Sequence, residues 1–361
     1  MIKAGHINKW LWNSLMIVGL LMLMACSEDS HDDAPQSSRL RLLSVTRTGD
    51  DLDHLENGSL KLFVTTPDKT SYQFGVFSWT TEWETNDISV KENSQYYFYG
   101  YWPSSLTCDV SATNLDNDFS KGADLTLSDL PVFTNQDILV IVGVKKVSED
   151  DTPHTIATEG NYGYMSGLSG NNYVNLLMDH LYSQVKMKFC VAKDYYALRR
   201  IHLKTVTLKT SYDTKVTATV RLRAGYGLAD RVTYSPAAAT PPSTPASWPL
   251  LNPTDPDDYV DIAEASDDGT AGTTLTNSVY CPHYIFNNSD VGTYVTIEST
   301  YDVYDTKGNP IRVGCTASNI VRLTDRITPG MIKTIMLVIE PTYLYVLGDP
   351  DLDNPTIKIT N

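Results

Sequence analysis

Asp349, Asp351 and Asp353 stand at the alternate spacing of a calcium loop, where carboxylates converge on one cation. The sixth position of that loop is Asn354 rather than Gly, no Glu stands at the twelfth, and Pro350 and Pro355 bar flanking helices. The run therefore reads as a solvated acidic turn. The pairs Asp257-Asp258 and Asp267-Asp268 lie in polar stretches where both carboxyls ionise, so neither is set up to hold a proton for acid catalysis. His202 falls in an alternating, strand-like run and His180 heads another; at both places packing explains the residue better than base chemistry. Cys108, Cys190, Cys281 and Cys315 are far apart, with no CxxC pair and no His at ligand spacing. Cys190 and Cys315 sit inside apparent strands and read as small buried hydrophobes. There is no HExxH, GxSxG, helix-opening GxGxxG or phosphate loop, so no enzyme, metal or cofactor is expected. Trp79, Trp83, Tyr96, Tyr97, Tyr99, Tyr101 and Trp102 crowd one segment. Exposed, such rings would stack on sugars and make a glycan-binding surface; alternating along strands, they pack on one another, which is the favoured reading.

Chemistry of another kind is written at the N-terminus. Lys3, His6 and Lys9 form a positive leader, and Leu15 to Ala25 then runs apolar up to Cys26. A membrane-spanning helix needs about 20 apolar residues, so this run is too short to span and reads as a signal peptide over residues 1–25. Leu23-Met24-Ala25-Cys26 resembles the lipobox of bacterial lipoproteins. The resemblance implies cleavage before Cys26 and transfer of diacylglycerol to its thiol. Ser27-Glu28-Asp29-Ser30-His31-Asp32-Asp33 follows, within a tether over residues 26–38, and resembles signals that send lipoproteins to the cell exterior.

Charge and length bound what the remainder can be. The 361 residues carry 28 Lys+Arg against 43 Asp+Glu, a net −15 that becomes −17 when Lys3 and Lys9 leave with the signal. No segment supplies the basic face a phosphate backbone requires, which excludes nucleic acid as a partner. The length suits two domains. Apolar stretches are short, alternate with period two and end at turn residues: Leu60–Val64, Gln95–Trp102 stopped by Pro103, Val185–Phe189, Leu203–Lys209, Val216–Leu222, and Met331–Ile339. Ile138–Val142 does not alternate and reads as a central strand covered on both faces. A hairpin is predicted from Tyr294–Tyr304 through Lys307-Gly308-Asn309-Pro310 to Ile311–Val313. Short helical pieces are predicted at Asp194–Arg200 and Tyr173–Leu181, and a proline-rich exposed loop between Pro236 and Pro256. The expected fold is all-β, two tandem β-sandwiches over 39–178 and 179–361.

The order of features resembles the fimbrillin family, the lipoprotein pilins of type V pili. Behind the lipobox come Ser44-Val45-Thr46-Arg47, then Gln95-Tyr96-Tyr97-Phe98-Tyr99-Gly100-Tyr101-Trp102-Pro103. Next is the run from Leu177-Met178-Asp179-His180 to Phe189, and last Ile327-Thr328-Pro329-Gly330 and Pro341-Thr342-Tyr343-Leu344-Tyr345-Val346-Leu347. The resemblance implies transthyretin-like sandwiches, an outer-membrane and fimbrial location, and adhesion to a host or bacterial surface ligand. It implies assembly by strand exchange: an Arg-specific protease removes an N-terminal strand, and the groove accepts the tail of another fimbrial subunit. Here the removable strand would present Leu40, Leu42, Leu43 and Val45, with cleavage at Arg47 and Arg39 and Arg41 as competing sites. Strict alternation would put Leu43 and Val45 on the face of Arg41, which disturbs burial. Tyr343, Tyr345, Leu347, Ile357 and Ile359 are the candidate donor residues. The resemblance equally accommodates a lipid-anchored terminal subunit whose tail completes its own domain.

Overall fold

The computed structural model describes residues 37–48, 53–66, 73–85, 88–151, 155–168, 172–226, 232–235, 245–267, 270–283, 285, 295–321, 327–340 and 356–360. Within them the chain is built of strands. The first are β1 (Ser37–Arg39), β2 (Arg41–Arg47), β3 (Asp53–His54), β4 (Ser59–Thr65), β5 (Gln73–Trp79), β6 (Trp83–Thr85), β7 (Ser89–Lys91) and β8 (Gln95–Trp102). There follow β9 (Asp109–Leu115), β10 (Asp118–Pro131), β11 (Leu139–Val147), β12 (Gly163–Met165), β13 (Tyr173–His180) and β14 (Ser183–Val191). After a single helical turn, Lys193–Tyr196, come β15 (Arg199–Asp213), β16 (Lys215–Arg223), β17 (Val232–Ser235), β18 (Pro245–Leu251) and β19 (Val260–Asp261). The last are β20 (Thr273–Thr274), β21 (Val279–Cys281), β22 (Val295–Asp305), β23 (Pro310–Val321), β24 (Ile332–Ile339) and β25 (Thr356–Thr360).

These strands form an all-β sandwich architecture. A nine-stranded sheet runs β3-β2-β13-β11-β8-β4-β5-β6, with β12 also on β8. Two five-stranded sheets run β20-β14-β24-β25, with β21 on β14, and β18-β15-β22-β23, with β19 on β15. A four-stranded sheet, β17-β16-β10-β9, draws two strands from residues before 179 and two from after it. The β10–β16 register runs from Gly122↔Arg223 to Pro131↔Lys215, so the halves of the chain share a sheet.

The nine-stranded sheet lies between two apolar layers, as period-two alternation requires when both faces are covered. Leu139 and Ile141 enter one layer with Leu60, Leu62, Phe98, Val174 and Leu176. Val140 and Val142 enter the other with Phe63, Tyr99 and Leu177. The second layer continues through Leu125, Val185, Phe189, Leu208 and Ile335, and so through the other three large sheets.

In secondary structure the chain departs from the sequence reading at three places. Tyr173–Leu181 is not helical: Tyr173–His180 is β13, with Tyr173 to Met178 all buried. Strands on both of its edges and cores on both of its faces outweigh the helical preference of its Leu and Met residues. The helix expected over Asp194–Arg200 stops at Tyr196, because β15 begins at Arg199. The proline-rich stretch contains a strand, β18, with Pro249 opposite Thr207. It lies at the edge of its sheet, the position at which strands tolerate proline.

Candidate functional site

β2 is the element on which the expected assembly turns, and its local structure follows from its sequence. It pairs in parallel with β13, from Tyr173↔Arg41 to Met178↔Arg47, with a register shift between Val174 and Asn175. Leu42 lies opposite Val174 but Ser44 lies opposite Asn175, so Leu43 is one residue in excess: a β-bulge. That extra residue corrects the face expected from strict alternation. Leu40, one residue before the strand, and Leu42 and Val45 within it all enter the layer formed by Leu60, Leu62, Phe98 and Leu176, at 0%, 5% and 1% exposure. Leu43 is half-buried, and Ser44 and Thr46 are buried on the other side. Three full anchors at about 1.5–3 kcal/mol each contribute about 5–9 kcal/mol to holding this strand.

The other edge of β2 is thinly paired. β3 meets it only at Thr46↔His54 and Arg47↔Asp53, continued by Leu55 N–H donating to the Val45 carbonyl at 2.8 Å. Upstream, Leu40 N–H donates to Ile88 O at 3.0 Å and Arg41 N–H to Asn172 O at 2.8 Å.

At its C-terminal end β2 meets a polar cluster. Arg47 Nη1 lies 3.8 Å from Oδ2 of Asp137, a carboxylate 6% exposed, and His180 Nδ1 lies 2.7 Å from the same oxygen. Beyond these ion pairs neither Asp137 oxygen has a hydrogen-bond partner. His180 Nε2 is 3.1 Å from the Thr48 carbonyl oxygen. The Thr48 hydroxyl donates to Asp179, which also accepts from the His180 N–H at 2.8 Å, and Thr48 N–H donates to Met178 O at 2.9 Å. Burial pushes His180 toward its neutral ring. The hydrogen bond to Asp137 and the charges of Asp137 and Asp179 outweigh it and raise the pKa, while Arg47 opposes them. The bond after Arg47 is thus held on its β13 side rather than lying in an open turn.

At the other end of the chain, β25 pairs antiparallel with β24 of the same chain, with Ile359 opposite Ile335 and Ile357 opposite Leu337. It forms the edge of its sheet. Tyr343, Tyr345 and Leu347, like Cys26 and Asp349, Asp351 and Asp353, lie outside the described residues.

The aromatic segment is core. Trp83, Tyr96, Tyr99 and Tyr101 are 5%, 6%, 0% and 2% exposed. Trp83 and Tyr96 enter one apolar layer, with Trp79 and Trp102 against it, and Tyr99 and Tyr101 enter the other, with Tyr97 against it. Trp79 meets Trp83 edge to face at 5.6 Å, and Tyr99 stacks on Tyr162 at 5.3 Å. Those rings therefore do not form the open platform that sugar stacking needs. His202 is sandwiched between Tyr259 and Tyr304 at 3.8 and 4.2 Å, so it packs as expected. None of Cys108, Cys190, Cys281 and Cys315 is in a disulfide, and Cys190, Cys281 and Cys315 are buried. Among the described residues no group of His, Cys, Asp or Glu is placed to hold a metal ion.

The sequence reading gave no role to Asp137, Asp179 or Thr48, and read His180 for packing alone. No local motif joins them, because only the parallel β2–β13 pairing brings residue 48 to residue 180.

No family model and no curated protein matches the chain. Among solved structures it is similar to a fimbrial protein from Bacteroides vulgatus, at 13% identity and a TM-score of 0.49, over 89% of this chain and 98% of that one. It is also similar to the fimbrial anchor protein Mfa2 from Porphyromonas gingivalis, at 10% identity and a TM-score of 0.34, over 90% of this chain and 97% of that one.

Proposed function

We propose that the chain is a non-enzymatic subunit of a bacterial surface fimbrium serving adhesion, exported as a lipoprotein on Cys26 and assembled by strand exchange. One observation carries the reading: β2 is inserted in the sheet, with Leu40, Leu42 and Val45 buried and a long pairing partner on one side only. Cutting after Arg47 would free that strand, leaving an apolar groove beside the unpaired edge of β13. An incoming strand repairs both defects at once, its main chain completing the ladder and alternate side chains filling the groove. The partners are then an Arg-specific protease, further fimbrial subunits, and the outer membrane before processing. The tail is the donor in this scheme, through Ile357 and Ile359 and through Tyr343, Tyr345 and Leu347. The sandwiches over 39–178 and 179–361 would be the two bodies of the subunit, seamed by the shared β10–β16 pairing.

The test is intact-mass analysis of surface protein with and without an Arg-specific protease, followed by a native gel. Loss of the segment ending at Arg47 together with high-molecular-weight ladders supports the scheme; a protein that keeps Arg47 and stays monomeric refutes it. A second reading, a lipid-anchored terminal subunit, is supported by β25 already lying on β24 of its own chain. It predicts capture of one neighbour through the β2 groove, with no growth from the tail.

A further inference from the structure

Both ring nitrogens of His180 face acceptors. Nδ1 is 2.7 Å from a carboxylate oxygen of Asp137, and Nε2 is 3.1 Å from the carbonyl oxygen of Thr48. A neutral imidazole carries one N–H, so it serves one of these acceptors and turns a lone pair toward the other. Only the imidazolium satisfies both. The acceptors belong to separate parts of the chain, since Asp137 precedes β11 and Thr48 follows β2, while His180 ends β13.

We propose that His180 is a proton-operated latch, which in its imidazolium form clamps the exit of β2 to β13 and Asp137. This rests on the reading of β2 as the strand that leaves, and it names what regulates the departure. The surroundings agree from every side. Asp137 and Asp179 supply negative charge, and Arg47 at the end of β2 opposes it from 3.8 Å across the same carboxylate. Tyr280 of β21 faces Asp137 and Arg47, and its hydroxyl is held neutral by burial first and then by Asp137. The turn before β24 brings Gly330 against the ring, where an added Cβ would stand 3.3 Å from it.

The sign of the pH effect follows. A histidine whose pKa is raised by folding contributes fully below its unfolded value, about 6.5, and loses that contribution as pH rises through the folded value. The latch is therefore closed in mild acid and open in mild alkali. In alkali the link to Thr48 is the one that fails, because Nδ1 keeps its hydrogen for the buried carboxylate. The bond after Arg47 then becomes easier to lift from β13 and easier to cut.

The test uses the intact full chain, with no protease and no polymer, so its outcome is independent of the fimbrial reading. Ring NMR signals of His180 are titrated, and exchange of the Thr48 amide is followed between pH 5.5 and 8.5. The exchange is corrected for intrinsic rates and referenced to Val140 in β11. We expect His180 to titrate above about 6.5, and Thr48 protection to fall roughly tenfold across the range while Val140 holds. Asp137→Asn should bring the His180 titration down and flatten the Thr48 response, and His180→Gln should abolish that response. Should His180→Gln fail to fold, Asp137→Asn still decides. Titration of wild-type His180 at or below 6.5, or Thr48 protection that ignores pH, overturns the latch. A working latch on a chain that is never cut at Arg47 would instead sink the fimbrial reading alone.

Discussion

Deleting single residues from β2 separates the bulge from the anchors. Leu43 is the residue without a counterpart on β13: Leu42 already faces Val174 and Ser44 already faces Asn175. Removing Leu43 leaves the right number of residues for a regular ladder, with Leu40, Leu42 and Val45 still on the apolar layer. The loss is a half-buried side chain, about 1 kcal/mol, partly offset by the regained ladder geometry. Removing Val45 has a different consequence. The chain closes up by bringing Thr46 into the place of a side chain that is 1% exposed. Lost burial costs about 1.5–3 kcal/mol, and an unpaired hydroxyl in an apolar layer adds about 1–3 kcal/mol. Two deletions two positions apart should therefore differ by about 1.5–5 kcal/mol. Urea unfolding of both variants reads the global effect. Cleavage after Arg47 by a low concentration of an Arg-specific protease reads local peeling, which a globally two-state melt would miss. If deletion of Leu43 lowers stability and exposes Arg47 as much as deletion of Val45 does, the bulge is not absorbing the extra residue and the assignment of anchors is wrong.

Two further outcomes follow from particular contacts. Gly100→Ala would place a Cβ 2.3 Å from the Lys61 carbonyl oxygen and 2.8 Å from Cδ1 of Ile141, forcing β4 and β8 apart at a loss of about 3 kcal/mol or more. Gly308→Ala in the β22–β23 turn meets nothing within 4 Å and costs only its φ of +84°, about 1 kcal/mol, so urea midpoints should rank the two far apart. Burial pushes the Cys281 thiol far above its ordinary value and Cys108 up to about 11. A thiol reagent at pH 8 should thus label neither quickly, and label Cys281 only on unfolding, which mass spectrometry of peptides would show; rapid labelling of Cys281 in the folded chain would contradict its burial.

Much of the strand framework was legible because its signals are local. The run Gln95–Trp102 ended where Pro103 said it would, and the non-alternating Ile138–Val142 became β11 with both faces covered. The hairpin around Lys307-Gly308-Asn309-Pro310 was legible too, in its turn chemistry. β13 was misread because its leucines and methionine favour a helix in isolation, while the two cores and two neighbours that make it a strand come from distant sequence. The face of Val45 was misread because a bulge is a property of a pair: nothing in Leu42-Leu43-Ser44 says which residue β13 will skip. The cluster of Arg47, Asp137, Asp179 and His180 was invisible for the same reason.

Which strand can leave a sheet without destroying it is a matter of position. β11 and β8 are interior, and removing either would cut the nine-stranded sheet in two. β6 could leave, but it pairs with only three residues of β5 and would open little groove. β2 is next to the edge, bounded outside by the two residues of β3 and the Leu55 N–H. Its loss leaves β13-β11-β8-β4-β5-β6 continuous and uncovers the whole pairing edge of β13 with three apolar pockets beneath it. A parallel partner also lets β2 depart alone, since no tight hairpin ties it to β13 and the intervening chain is the rest of the first half. Among the strands of this sheet, β2 thus combines deep anchoring with topological dispensability, which is the property that a strand serving as a removable plug must have.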